Sequence, residues 1–450
     1  LKVSIGIDGA DSPRGGCTTH TLYRLFKELV KEGYVERVLD YPYLVRLNPS
    51  VPFKTRGNGA VALKFELRKD PGDLVPFVVG VVEKYLREFS GNVDDVGLAI
   101  VYGDYDRELS HIYYEALTDY VHRSRIEGLV EGSNGRLALP MGLSRGCVGA
   151  IAAIGWSASK FTYELLVYRS SYLTPREALV DLGKLASVDL NPRYRTFCSF
   201  DPEVGRVVAI PRGPDPVILG LRGLDPGGLI EALEYLGISK YVEGWIIFKT
   251  NQATGEHYVP RASRDMKPFR TGCIAGEVTS VRSVVGGDVE LKVDDGFGSL
   301  VAYVFKETGL SKVARSLVRG DVVRLCGTVK YWEGVGGVLH VELLEVIDIA
   351  ELHVKRNPRC PSCGARLKSA GRDKGFKCVK CGYKTKELKP SIQLVGRDIS
   401  RGFYVPSCGG AKHLTIPRPL VDIDTHVPVQ TLVGRISGLL LAEMGNPQSS

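Results

Sequence analysis

Apolar residues open the chain as a strand-like run, "KVSIGI", and then recur at helical spacing in "THTLYRLFKELVKEGY", which stops at Gly33. A strand, an acidic glycine-rich loop and a helix in that order form an α/β arrangement with a loop site at the strand end. The stretch "VLDYPYLVRLNPSVPFKTRGNGAVALKFEL" adds two strand-like runs around a Pro/Asn/Gly/basic turn. Helical patterns follow near "LVPFVVGVVEKYLREF" and "SHIYYEALTDYVHRSRIEG". "RGCVGAIAAIGW", opened by Arg145 and Gly146, is small and apolar throughout and predicts a tightly packed helix.

After a helical "TPREALVDLGKLA" the rhythm shifts. "GRVVAIPRGPDPVILGLRGLDPGGLIEALEYLG" reads strand, turn, strand, helix, and "YVEGWIIFKTNQAT" is a strand with a polar end. This order predicts a small α+β unit of ferredoxin-like kind. From Gly272 to about Glu351 helical patterns largely vanish, leaving five short strands with one helix between the third and fourth. That is the profile of an OB-fold, a reader of single-stranded nucleic acid. The closing "EMGNPQSS" reads as a frayed end and "PRPLVDIDTHVPVQTLVGRISGLLLAE" as an extension beyond the basic module described below.

Composition changes the picture in few places. A length of 450 residues calls for several cores, about three by the length prior. With 44% hydrophobic and 24% charged residues the chain falls in the globular class, neither disordered nor membrane-like. No run reaches the length of a membrane span, and "LKVSIGID" enters a strand at once, so neither membrane nor signal segment is expected and a cytoplasmic protein is. Charge is unevenly spread: residues 351–450 carry 17 Lys and Arg against 7 Asp and Glu, on a body close to neutral. That asymmetry points to a polyanion gripped at one end and chemistry at the other.

Four of the ten cysteines form "CPSCGARLKSAGRDKGFKCVKC", with Cys360, Cys363, Cys378 and Cys381 in two CxxC knuckles fourteen residues apart. Two thiolate pairs on tight turns close a tetrahedron around a structural zinc ion. The other six (Cys17, Cys147, Cys198, Cys273, Cys326, Cys408) are scattered, so no disulfide framework is expected. Between the knuckles, Arg366, Lys368, Arg372, Lys374 and Lys377 accompany Phe376, with Tyr383 alongside; basic and aromatic groups interleave as in nucleic-acid contacts, the alternative being an ordinary exposed face.

The candidate chemistry lies in "IGIDGADSPRGGCTTH". Asp8 and Asp11 at a strand end can hold Mg²⁺, which bridges phosphate oxygens. Gly15 and Gly16 let backbone N–H groups approach a phosphate, and Thr18 and Thr19 sit where the helix begins. Singly, Thr18 reads as an N-cap and Asp11 as an Asx-turn. Together with "FKTRGNGAV", which brings Lys54, Arg56 and Asn58, they read as a nucleotide site without a Walker A loop.

"IGIDGADSPRGGCTTH", "RLNPSVPFKTRGNGAV", "RGCVGAIAAIGW", "PVILGLRG" and "TNQATGEH", ahead of an OB-fold and a zinc ribbon, resemble the archaeal isoleucine-tRNA 2-agmatinylcytidine synthetase family over nearly the whole chain. The resemblance implies a multidomain α/β and α+β protein: a kinase-like catalytic domain (1–190), a ferredoxin-like domain (191–270, with part of 60–140 as a further candidate for it), an OB-fold (271–350), and a zinc ribbon with a C-terminal extension (351–450). It implies ATP-dependent ligation of agmatine to C2 of the wobble cytidine of an isoleucine tRNA with a CAU anticodon, so that AUA is decoded. ATP is then cleaved to AMP and phosphates, and a phosphoryl group activates the C2 oxygen. Asp8 and Asp11 fall at the family's metal-binding aspartates, Thr18 at its autophosphorylated threonine, and Lys54, Arg56 and Asn58 in its nucleotide-side motif.

One departure stands out. The family's loop reads Asp-Asp-Thr-Asp-Ser, and this chain has Asp8, Gly9, Ala10, Asp11, Ser12. The expectation is an active enzyme in which water fills the vacant position on Mg²⁺. The alternative is a tRNA-binding homologue whose loop has lost its metal chemistry; a third, a kinase-like regulator that uses its RNA modules for recruitment, lacks the protein-kinase signatures. For agmatine, whose guanidinium calls for carboxylates, "PRGPDPV" and "TNQATGEH" offer Asp215, Asn251 and Glu256, though Asp215 equally suits a turn between Pro214 and Pro216.

Overall fold

The computed structural model describes residues 1–422 apart from 53, 55, 106–107, 171–174 and 239–241, and leaves out the Arg56 side chain. Its first half comprises β1 (Lys2–Asp8), α1 (Thr18–Lys31), β2 (Val35–Val38), β3 (Tyr43–Arg46), β4 (Gly59–Leu67), α2 (Pro71–Phe89), β5 (Gly97–Tyr102), α3 (Ser110–Thr118), α4 (Arg123–Gly132), β6 (Leu137–Ala138) and α5 (Gly146–Gly155). It continues with β7 (Thr162–Arg169), α6 (Leu182–Ser187), β8 (Phe200–Asp201), β9 (Arg206–Val207), β10 (Val217–Gly223), α7 (Pro226–Leu236) and β11 (Val242–Thr250). Among the described residues these strands build one nine-stranded sheet in the order β10-β7-β11-β3-β4-β1-β5-β6, with β2 also on β4 and β8–β9 apart.

Alternation along the strands decides what covers each face. Ile5, Ile7, Val61 and Leu63 point to one face and pack with Leu22 and Leu25 of α1 and Val78 and Val82 of α2. The opposite face carries Gly6, Ala60, Ala62, Gly97 and Ala99, small enough for α5 to lie directly on the sheet. A Cβ at Gly6 would stand 2.1 Å from the Ala150 carbonyl oxygen, and one at Gly97 1.9 Å from the Gly146 carbonyl carbon. The small-residue helix read from the sequence is therefore pressed against a small-residue stripe. Each fully buried aliphatic chain here contributes about 1.5–3 kcal/mol.

Strands β10, β7 and β11 with α7 form the ferredoxin-like half, and its sheet runs into the first half through the parallel pair β11–β3. Then come β12 (Thr271–Ser283), β13 (Val289–Asp294), β14 (Ser299–Val304), α8 (Ser311–Ser316), β15 (Val322–Trp332) and β16 (Gly336–Asp348). Antiparallel pairing carries the sheet round, and a parallel β14–β16 pair closes it into the expected OB barrel. A ladder of Leu352–Arg356 with Ser391–Val395 leads to the zinc ribbon and back.

The structure departs from the sequence reading in several places. The pattern across 110–128 is two helices, α3 and α4, because the chain is extended at Asp119 and His122. Only Leu182–Ser187 of "TPREALVDLGKLA" is α-helix, capped by Asp181 accepting from the Lys184 N–H. Strands β5 and β7 have no counterpart in the sequence reading, yet β5 pairs with β1 and β7 joins β10 to β11. Four of the scattered cysteines are disulfide-bonded, Cys198 to Cys408 and Cys273 to Cys326. The expectation of unpaired cysteines failed because pairing follows tertiary register: Cys273 and Cys326 are direct partners across β12 and β15.

Past the ribbon the chain does not trail away. Gly402–Tyr404 adds to β16, and the following strap docks on the ferredoxin-like half: the Ala253 N–H donates to the His413 carbonyl at 2.8 Å and the Gly255 N–H to that of Leu414 at 2.9 Å. Lys412, His257 and Thr415 converge on the buried Glu342 of the barrel. The rest of the closing extension, with "EMGNPQSS", lies outside the described residues. No described helix is long and apolar enough to cross a membrane.

Candidate active site and zinc centre

The loop from Asp8 to Thr18 is held from both ends. The Thr18 N–H, in the first turn of α1, donates to Asp11 Oδ1 at 3.2 Å, and the Ala10 N–H donates to Thr18 Oγ1 at 3.2 Å. Asp11 thus caps the helix from seven residues upstream, and Thr18 is itself the first helical residue. Gly9 stands at φ +81°, where a Cβ would come within 2.4 Å of the Asp95 carbonyl oxygen. In this backbone the position where the resemblance calls for a second acid has no room for a side chain.

Asp8 is half-buried with its carboxylate packed against α5, and a Cβ at Gly149 would meet its Oδ2 at 1.9 Å. Burial pushes its carboxyl up to about 7, against the pull of the Gly9 N–H, and the Asp11 charge pushes the same way. Such a carboxylate is primed for a cation, which would restore its charged form.

The loop separates two cavities. One, of about 890 Å³, is lined by Asp8, Gly9, Lys54, Asn58, Asp94, Asp95 and the start of α5 at Arg145 and Gly146. Its oxygen donors suit Mg²⁺, and a helix N-terminus opens onto it, as phosphate binding needs. The other, of about 350 Å³, lies over the junction of the two sheet halves. It is lined by Asp11, Cys17, Thr18, Arg46, Gly57, Gly59, Glu164, Asp215, Arg222 and His413. Lys54 and Asn58 line the larger cavity, and Gly57 and Gly59 the smaller.

Other candidates fall elsewhere. Gly15 and Gly16 line neither cavity: Gly15 turns at φ +118°, and a Cβ at Gly16 would press on Phe89 at 2.9 Å. The Arg56 side chain lies outside the described part. Asn251 is fully buried and clamps β3 by its backbone, taking the Arg46 N–H at 2.7 Å and giving to the Arg46 carbonyl at 2.9 Å. Glu256 accepts from Tyr113 Oη at 2.6 Å and Trp156 Nε1 at 3.2 Å beneath the sheet. Asp215 takes the Arg176 guanidinium at 3.1 Å and the Val217 N–H at 3.3 Å while facing the smaller cavity.

The smaller cavity has charges the sequence did not flag. Glu164 lies between Arg46 and Arg222, each at 3.7 Å, and accepts a hydrogen bond from Gln252 Nε2. Burial, with Asp215 and Asp11 nearby, pushes the Cys17 thiol up to about 12, so it is no nucleophile at neutral pH. Arg46, then burial, Arg222 and Lys54, hold His413 well below the usual imidazole range. Arg46, Glu164, Arg222 and His413 come from four distant segments, and no local spacing could have joined them.

The zinc centre is self-contained. The four cysteine Sγ atoms lie within 4.8 Å of one another, with Cys360–Cys381 and Cys363–Cys378 both at 3.5 Å. Gly364 and Gly382 turn the knuckles at φ +70° and +77°. Backbone N–H groups of Cys381 and Lys380 aim at Cys378 and pull its thiol down to about 6, the thiolate form that zinc takes. All four donors fit a closed structural ion.

Comparison with known proteins settles the lineage. The TiaS TCKD domain matches residues 4–137, the TiaS FLD domain 144–257, an OB-fold nucleic acid binding domain 273–349 and the TiaS C-terminal zinc ribbon 357–399. The isoleucine-tRNA 2-agmatinylcytidine synthetase TiaS of Thermofilum pendens is 38% identical, covering 97% of this chain and 98% of its own. This chain belongs to the TiaS family of isoleucine-tRNA 2-agmatinylcytidine synthetases. The TiaS of Ignisphaera aggregans is 35% identical with 92% of each chain covered. A solved complex of TiaS with its isoleucine tRNA and ATP superposes with a TM-score of 0.81 at 30% identity, covering 95% of this chain and 98% of its own. One with the tRNA, AMPCPP and agmatine does so at 0.79 and 29%, with the same coverage.

Proposed function

We propose that this chain ligates agmatine to C2 of the wobble cytidine of a CAU-anticodon isoleucine tRNA at the expense of ATP, releasing AMP and phosphates. The observation that carries the reading is the loop from Asp8 to Thr18, which presents Asp8 to one cavity and Asp11 with Thr18 to the other. ATP occupies the larger cavity, with Lys54 and Asn58 on its phosphates and the start of α5 offering N–H groups. Mg²⁺ would be held there by Asp8 and would neutralise phosphate charge, while Asp11, the second expected ligand, faces the smaller cavity across the loop. Thr18 Oγ receives a phosphoryl group beside Asp11, and the smaller cavity holds agmatine and the flipped-out cytidine.

The chemistry has a clear rationale. A carbonyl oxygen leaves poorly and a phosphate leaves well, so phosphorylating the C2 oxygen lets an amine displace it. Barrel and basic ribbon hold the tRNA while the base is delivered.

The test is incorporation of labelled agmatine into an unmodified transcript of that tRNA with ATP and Mg²⁺. Incorporation by the native chain that Thr18→Ala abolishes is the expected result. A native chain that binds the transcript yet incorporates nothing would leave the tRNA-binding homologue as the answer.

A further inference from the structure

The strap beyond the zinc ribbon delivers one more functional group to the smaller cavity. Glu164 pairs with Arg46 and Arg222 and turns its oxygens to Gln252, so the amide nitrogen of Gln252 faces it, as its hydrogen bond records. The Gln252 carbonyl Oε1 then faces His413 Nδ1 at 2.9 Å and can only accept. Nδ1 must therefore carry the proton, and the neutral ring keeps a lone pair on Nε2. That nitrogen stands 3.3 Å from where a Cβ on Gly57 would sit, in the wall shared with Asp11 and Thr18. Among the described residues no hydrogen bond engages it.

We propose that His413 is the base that takes the proton from the agmatine amine as it displaces the activated oxygen, an inference that rests on the function proposed above. The amine lone pair forms the C2–N bond, and the C2–O bond breaks with its electron pair staying on the departing phosphate. The nitrogen, now cationic and acidic, loses one proton to Nε2.

The surroundings leave the lone pair of this group available while its neighbours are engaged. Arg46, Arg222 and Lys54 face His413 with positive charge and keep the imidazole unprotonated at neutral pH. Glu164 shares the cavity wall but is engaged by both arginines and by Gln252, and Asp11 and Asp215 already accept from the Thr18 N–H and from Arg176. Cys17, a thiol up near 12, holds its own proton too tightly to accept another.

The test uses the full-length enzyme with transcript, ATP and labelled agmatine. His413→Asn keeps an N–H donor toward Gln252 and removes the base. Agmatine transfer should fall about 10²–10³-fold and lose its acid limb below the ordinary imidazole range, while Thr18 phosphorylation proceeds as in the native enzyme. Transfer at the native rate, or a parallel loss of Thr18 phosphorylation, would overturn the proposal. A ¹⁵N spectrum of the native imidazole gives an independent reading: an Nδ1–H tautomer is expected, and Nε2–H sinks the idea however the variant behaves. A native enzyme that phosphorylates Thr18 but never incorporates agmatine would instead strike the proposed function.

Discussion

The zinc ribbon and the Thr18 cavity both gather reactive side chains, and they do so by opposite means. In the ribbon, ligands from Cys360 to Cys381 are brought together by two glycine-turned knuckles on one short stretch of chain. The cavity draws on Asp11, Arg46, Glu164, Asp215, Arg222 and His413, from a helix cap, three sheet strands, a turn and the returning strap. The ribbon's site is a property of a segment; the cavity is a property of the strand order β10-β7-β11-β3 and of what docks across it. One should therefore fail alone, and the other should fail with its neighbours.

The largest effect expected is on the ribbon. Chelating zinc, or Cys378→Ser, removes a contribution of about 10–16 kcal/mol and should unfold residues 357–399 while the sheet and barrel keep their cores. Hydrogen exchange would show this, and lost protection around Thr18 would break the comparison. Next, Gly9→Asp, the change that restores the expected acid, should cost about 2–4 kcal/mol because the left-handed φ and the Asp95 carbonyl both oppose it. Denaturant midpoints and ATP titration check it; tighter ATP binding would contradict the steric account.

Lys412→Ala tests the strap. Lys412 and His257 hold the Glu342 carboxyl well below its usual range in spite of burial. Removing the lysine, itself partly exposed, should cost about 2 kcal/mol by urea titration at neutral pH and should slow agmatine transfer through the adjacent His413. A stability loss with unchanged transfer would separate strap from cavity.

The smallest effect is at the seam between α1 and β11. Burial raises the Glu243 carboxyl, but hydrogen bonds and charge from His20 and Arg24 outweigh it and hold it down at about 2. A depressed carboxylate gives stability that is present above its ordinary value of 4.5 and lost as pH falls through about 2. Glu243→Gln should therefore lower stability by about 1–2 kcal/mol at neutral pH, after screening, and flatten the acid side of the curve over that window. An unchanged acid transition would show the seam contributes nothing.

Periodicity and turn chemistry carried much of the architecture. They announced the opening strand and helix, the small-residue α5, the five barrel strands and the zinc knuckles, because each depends on neighbours within a few residues. The loop from Asp8 to Thr18 was legible as a unit for the same reason, although Gly15 and Gly16 serve its turn and its packing on Phe89 rather than either cavity wall. Strand β7, "TYELLVYR", was not legible: its polar Glu164 belongs to the cavity and is held by arginines from β3 and β10.

By itself the sequence determined the α/β opening, the barrel, the ribbon and its thiolates, through spacing alone. Only the tertiary structure decided that Cys273 would meet Cys326 and Cys198 would meet Cys408, that Asn251 would clamp β3, and that His413 would share a cavity wall with Thr18. Those meetings span tens to hundreds of residues. They are fixed by sheet register and by docking of the strap, where free energy depends on surfaces that exist only once the strands are in order.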